Sequence, residues 1–263
     1  MRKLFFTSVL LLSLTFLFTD IYAGNPAATL KADRKKPASL IKNRGTAEDY
    51  VGGKIEVEPE EWDFGYAPGG SMLKHFYTIK NIGQDTLMIT KVKPSCGCTS
   101  APLNKDVLAP GESTILEVGF KTLKFKGKVK KNIKIYNSDP ENSTKEIDFL
   151  SVVAKPYPLI KIRPKAVDFV QVWQGKNVKQ KIDLTNISKS QVSFKIIDAP
   201  KKDYLKYKFG KLTLNPGEAT DLEVRIGKNA PVGELQESIT IETTGSEPIR
   251  ISIPIRAEIL VKK

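Results

Sequence analysis

Cys96 and Cys98 are the only cysteines of this chain, and they stand two apart in the run Ser95-Cys96-Gly97-Cys98-Thr99. Side chains two apart share one side of an extended segment, and in a turn their sulfurs come close enough to bond. Three chemistries fit such a pair. A disulfide could lock the loop that carries it. A small ring could serve as a labile redox couple. Two thiolates also suit a soft ion such as Cu(I), with His75, the sole histidine, as a candidate third metal ligand beside Cys96 and Cys98. A bond closing a three-residue loop contributes at most about 1.5 kcal/mol of chain entropy, so it does not staple a fold.

A second constellation is cationic. Between Lys121 and Lys134 there are seven lysines and no acid, and Lys124, Lys126, Lys128 and Lys130 fall on one parity. On a strand or hairpin these four would form a ridge able to meet an anionic partner. The plainer reading is an edge strand that uses lysines to block unwanted pairing.

Motifs that would demand a reaction are missing. A single histidine excludes a multi-histidine metal centre, and no Gly-x-Ser-x-Gly elbow, phosphate-binding glycine loop or His-Glu-x-x-His pair occurs. Glu60, Glu61 and Asp63 are close together, but strand alternation makes them a solvated edge. The expectation is a protein that is not an enzyme.

An internal repeat organises the chain around these residues. Ile55-Glu56-Val57-Glu58-Pro59 aligns with Ile160-Lys161-Ile162-Arg163-Pro164, Asp63-Phe64 with Asp168-Phe169, and Lys80-Asn81 with Thr185-Asn186, all at an offset of 105. Beyond one inserted residue, Pro110-Gly111-Glu112 meets Pro216-Gly217-Glu218 and Gly127 meets Gly233. Each half is one copy of a domain. Period-two alternation through Tyr77 and Ile79, Ile115 to Phe120, Ile182 to Leu184 and Ile249 to Ile255 reads as strands. The two Pro-Gly pairs fit type II turns. About seven short strands per copy predict an all-β chain of two tandem immunoglobulin-like β-sandwich domains, over 54–158 and 159–263. By alternation His75 faces inward, and the repeat sets Gln180 opposite it. The same alignment sets Lys201 and Asp203 opposite the two cysteines, so the thiols are not a requirement of the sandwich.

The first 53 residues read differently. Arg2 and Lys3 precede the apolar run Leu4 to Phe18, and Tyr22-Ala23-Gly24 follows, which reads as a signal peptide over 1–23 cleaved after Ala23. A run of 15 apolar residues is short for a span that takes roughly 20. Residues 24–53, rich in Ala, Gly, Pro, Lys and Arg, read as a flexible basic leader. No later segment is apolar enough to span a membrane. The chain carries a formal charge of +13, and +7 of it falls on residues 159–263. An exported chain seldom meets nucleic acid, so the expected partner is an envelope protein or an anionic polysaccharide. The expected location is the periplasm or cell envelope of a bacterium, or the medium outside it.

The order of His75, Tyr77, Asn81, Leu87, Ile89, Ser95-Cys96-Gly97-Cys98-Thr99, Pro110-Gly111-Glu112 and Gly127 resembles the DUF1573 family of exported bacterial proteins. The resemblance covers residues 55–155 and implies an Ig-like domain similar to the ASH/MSP/hydin group, which are usually interaction modules. Over 160–260 the similarity is to the general sandwich. Two functions therefore compete: a non-enzymatic envelope adaptor working through its sandwich surfaces, and a periplasmic thiol-redox or copper-handling protein working through Cys96 and Cys98.

Overall fold

The computed structural model describes residues 52–153, 157–245 and 247–261. The expected signal peptide and nearly all of the leader lie outside them. The first half contains β1 (Ile55–Glu58), β2 (Glu61–Ala67), β3 (Met72–Asn81), β4 (Leu87–Pro94), β5 (Thr99–Ser100), β6 (Val107–Leu108), β7 (Ser113–Lys121), β8 (Gly127–Asn137) and β9 (Thr144–Val153). The second half contains β10 (Ile160–Arg163), β11 (Val167–Trp173), β12 (Val178–Asn186), β13 (Val192–Asp198), β14 (Leu205–Phe209), β15 (Thr213–Leu214), β16 (Ala219–Ile226), β17 (Gly233–Thr244) and β18 (Arg250–Leu260). Among the described residues no helix is long and apolar enough to cross a membrane.

Each half is an Ig-like sandwich, as the alternation requires. One sheet runs β1-β3-β7-β5 in the first half and β10-β12-β16-β14 in the second. The facing sheets are β2-β9-β8-β4-β6 and β11-β18-β17-β13-β15. In each copy the first strand changes sheets at a cis proline, Pro59 or Pro164. β1 therefore pairs antiparallel with β3, whereas β2 pairs parallel with β9. One core draws on residues from Ile55 to Phe149 and the other from Tyr157 to Ile259.

The repeat extends to individual hydrogen bonds. Buried Asn81 donates from Nδ2 to the carbonyls of Asp85 (2.7 Å) and Leu108 (2.9 Å), and Asn186 donates to Ser190 (2.8 Å) and Leu214 (3.1 Å). The amides of Gly111 and Gly217 donate to the carbonyls of Asn81 and Asn186, each at 2.9 Å. In both Pro-Gly turns the amide of the glutamate closes back three residues, and the glycine takes a positive φ of 77° or 81°, the type II geometry the sequence implies. Each asparagine thus ties together two backbone carbonyls about its turn, one of them in a buried hydrogen bond.

The halves are joined as well as repeated. Ile251 of β18 pairs parallel with Tyr66 of β2, and the two inner sheets run on as one ten-stranded sheet. Ile251 to Ile255 are buried at every position, because one face of β18 lies on its own core and the other lies against the first sandwich. Continuous burial replaces the half-buried alternation expected for Ile249 to Ile255.

Candidate functional site

The disulfide turn connects the two sheets of the first sandwich. β4 ends at Pro94, and the Ser95 amide donates to the Asn132 carbonyl on β8 at 2.9 Å. The chain then crosses to the opposite sheet, where the Lys121 amide donates to the Cys98 carbonyl at 2.8 Å and Thr99 pairs with Phe120. Within this crossing Cys96 and Cys98 form a disulfide with their Cα atoms 5.2 Å apart. Both are half-buried, and Cys98 rests on the core. The buried Thr99 hydroxyl lies 3.5 Å from Cys96 Sγ and 3.8 Å from Cys98 Sγ.

The second sandwich makes the same crossing without sulfur. Leu205 donates to the Lys202 carbonyl as Thr99 donates to that of Cys96, and Gly227 donates to Tyr204 as Lys121 donates to Cys98. The register therefore matches Cys96 to Lys202 and Cys98 to Tyr204, one position later than the sequence alignment places them. That alignment kept the offset of 105 through the turn, whereas the inserted residue lies ahead of it. The strands that follow differ in length. β14 pairs five residues with β16, but β5 pairs only two with β7, since Pro102 has no amide to continue the ladder.

His75 lies at the domain junction. It points inward from β3 with Leu73, Tyr77 and Ile79, as the alternation implies, and β12 places Gln180 at its register position. Its ring stacks on Trp62 with centroids 3.8 Å apart, and its Nδ1 lies 2.6 Å from Asp198 Oδ2 of the second sandwich. Cys96 and Cys98 are bonded to each other, and His75 is engaged across the domain junction. Among the described residues no group of three or more His, Cys, Asp or Glu is placed to hold a metal ion. A Cu(I) site on the two sulfurs would first require their bond to be reduced.

The four lysines separate. Lys124 and Lys126 lie on the loop from β7 to β8, and only Lys128 and Lys130 are on β8. Lys130 is neutralised by Asp148 at 2.7 Å and Glu61 at 3.0 Å, and these acids hold its ammonium pKa above the usual lysine value. Lys124, Lys126 and Lys128 are exposed, with no ion pair among the described residues. β8 is paired with β9 throughout but with β4 only from Ile133 onward. Its first half is therefore an edge that carries Lys128 and Lys130, and the four lysines do not form one ridge on a strand.

The domain junction is a polar seam that sequence reasoning missed. Ser238 and Ser252 carry short hydroxyls that face the first sandwich. Ser238 Oγ accepts from the Lys74 amide at 2.8 Å, and Ser252 Oγ donates to the Phe64 carbonyl at 2.8 Å. The Lys74 ammonium lies 2.7 Å from Glu117 and 3.4 Å from Glu237. Burial pushes the Glu237 carboxyl pKa up, against the pull of Lys74. Arg250 sits over the Trp62 ring, 5.2 Å from its centroid. The available signals were Gly65 against Val170 in the repeat and small polar residues on β17 and β18.

Fold and junction together define a tandem of Ig-like sandwiches. Residues 55–153 match the family described as protein of unknown function (DUF1573), and residues 157–260 match the flagellar-associated PapD-like family. The first sandwich is thus similar to the DUF1573 family, as its Cys-Gly-Cys-Thr motif suggests, and the second to the PapD-like family. No curated protein matches the chain in sequence. Similar solved structures include a protein of unknown function from Porphyromonas gingivalis, 14% identical over 78% of this chain and 99% of that one, with a TM-score of 0.34. Another is the ASH/PapD-like domain of human CEP192, 11% identical over 42% of this chain and 92% of that one, with a TM-score of 0.34.

Proposed function

We propose that this protein is an exported, non-enzymatic adaptor of the bacterial cell envelope, whose two Ig-like domains act as one rigid binding unit. PapD-like, Ig-like domains suggest a binding or adaptor role. The observation that carries the reading is the joined sheet. Ile251 pairs with Tyr66, and a polar seam of half-buried Lys74 with buried His75, Ser238 and Ser252 lies between the sandwiches, which supports a first domain held in place relative to the second. At that end Lys124, Lys126 and Lys128 offer unpaired charge to an acidic envelope protein or an anionic polysaccharide. The signal-like segment 1–23 supports export, and the basic leader would let the unit stand off from whatever holds its N-terminus.

Crosslinking in intact cells tests this reading. Wild type and the Cys96→Ser/Cys98→Ser double variant should capture the same envelope component, and Lys124→Ala/Lys126→Ala/Lys128→Ala should capture several-fold less. Loss of capture in the double serine variant with undiminished capture in the lysine variant would move the function from the sandwich surface to the thiols.

A further inference from the structure

The disulfide is not what folds the turn that holds it. Lys202 to Leu205 close the same turn through the same amide bonds with no sulfur present. Gly97, at the apex, is exposed, and a Cβ built on it would meet nothing within 4 Å, so the ring is open to an approaching group. Cys98 rests on the core, which leaves Cys96 as the outer sulfur. The Thr99 hydroxyl reaches both sulfurs, whereas the second sandwich has Leu205 at that position. The cationic crossing begins at Lys121, whose amide holds the Cys98 carbonyl. The exposed lysines of the segment that starts there draw acidic partners toward this end of the sandwich.

We infer that Cys96 and Cys98 form a thiol–disulfide exchange site whose substrate is a dithiol carried on an acidic protein segment. A substrate thiolate attacks Cys96 Sγ and forms a mixed disulfide as the Cys96–Cys98 bond breaks. The electron pair leaves on Cys98 Sγ, toward which the Thr99 hydroxyl turns its proton. The substrate's second thiol loses its proton to solvent and attacks the substrate sulfur of the mixed disulfide, releasing Cys96 as a thiolate. Two electrons pass from the substrate dithiol, now a disulfide, to the cysteine pair. The two protons lost by the substrate are taken up from solvent by Cys96 and Cys98 according to pH. Thr99 positions the hydrogen bond that stabilises the released thiolate.

The oxidised full-length protein is mixed with reduced Cys-x-x-Cys peptides flanked by glutamates or by lysines, and thiols are trapped by alkylation and counted by mass. The oxidised pentapeptide Ser-Cys-Gly-Cys-Thr is the reference oxidant. The acidic peptide should be oxidised about tenfold faster than the basic one at low salt, with the gap closing at high salt and in Lys124→Ala/Lys126→Ala/Lys128→Ala. Challenged with an oxidised peptide, Cys98→Ser should trap a mixed disulfide on Cys96, whereas Cys96→Ser should trap several-fold less. In the reduced protein Thr99→Val should move cysteine alkylation to higher pH and Thr99→Ser should restore it. A disulfide that stays closed, or one that reacts no faster than the pentapeptide and without regard to peptide charge, overturns the inference. Neither result bears on the adaptor reading, which rests on capture that survives the double serine variant.

Discussion

β2 and β11 are the same strand in two copies, and they meet opposite surroundings. Each pairs parallel with the last strand of its own sandwich, and each bulges where an aspartate side chain, Asp63 or Asp168, accepts from the amide two residues on. At the bulge the chain takes a positive φ, 63° at Gly65 and 55° at Val170. Gly65 is buried, and a Cβ there would meet the Arg250 carbonyl oxygen at 2.1 Å. Val170 is 71% exposed. A glycine is thus required only where the second sandwich docks. A branched residue is tolerated in the same backbone where nothing approaches, at the cost of a strained left-handed conformation.

The sharpest way to break this comparison is to exchange the two residues. Gly65→Val should destabilise the protein by about 3 kcal/mol or more, because steric overlap adds to backbone strain. Urea unfolding followed by tryptophan fluorescence should split into two transitions, and a single unshifted transition would show that the junction does not depend on close approach at Gly65. Next in size are the repeated asparagines. Asn81→Ala and Asn186→Ala each remove two hydrogen bonds to turn carbonyls, one of them buried, and each should cost about 2 kcal/mol in chemical denaturation. A large difference between them would mean that the shared hydrogen bonds do unequal work in the two sandwiches.

The turns are predicted to differ in chemistry more than in stability. Cys96→Ser/Cys98→Ser should lower stability by no more than about 1.5 kcal/mol, since the turn closes without sulfur in the second copy. A calorimetric loss well above this would make the bond a staple after all. The smallest effect is expected at Val170→Gly. Relief of the left-handed strain, offset by the greater freedom of glycine in the unfolded chain, should yield a gain of about 0.5 kcal/mol in the same denaturation measurement.

The sandwich was legible because its signals are local and occur twice. Alternation assigns His75, Tyr77 and Ile79 to one side of β3, and Pro110-Gly111 and Pro216-Gly217 mark their turns without reference to anything distant. The match of Cys96 to Lys202 was not legible, because the extra residue leaves no mark in composition and only the hydrogen-bond register shows where it falls. Lys130 could not be separated from Lys124, Lys126 and Lys128 either, since Glu61 and Asp148, which neutralise it, reach it across the sheet.

By itself the sequence determined the class of the fold, the repeat, the turns and the restriction of the two thiols to one copy. Side-chain periodicity and turn chemistry act over a few residues and can be read in one dimension. Only the tertiary structure decided that His75 belongs to the junction with Asp198, that Gly65 is the point of close approach, and that two sandwiches share one sheet. Those facts depend on which surfaces exclude water from each other, and no residue states its distant neighbour.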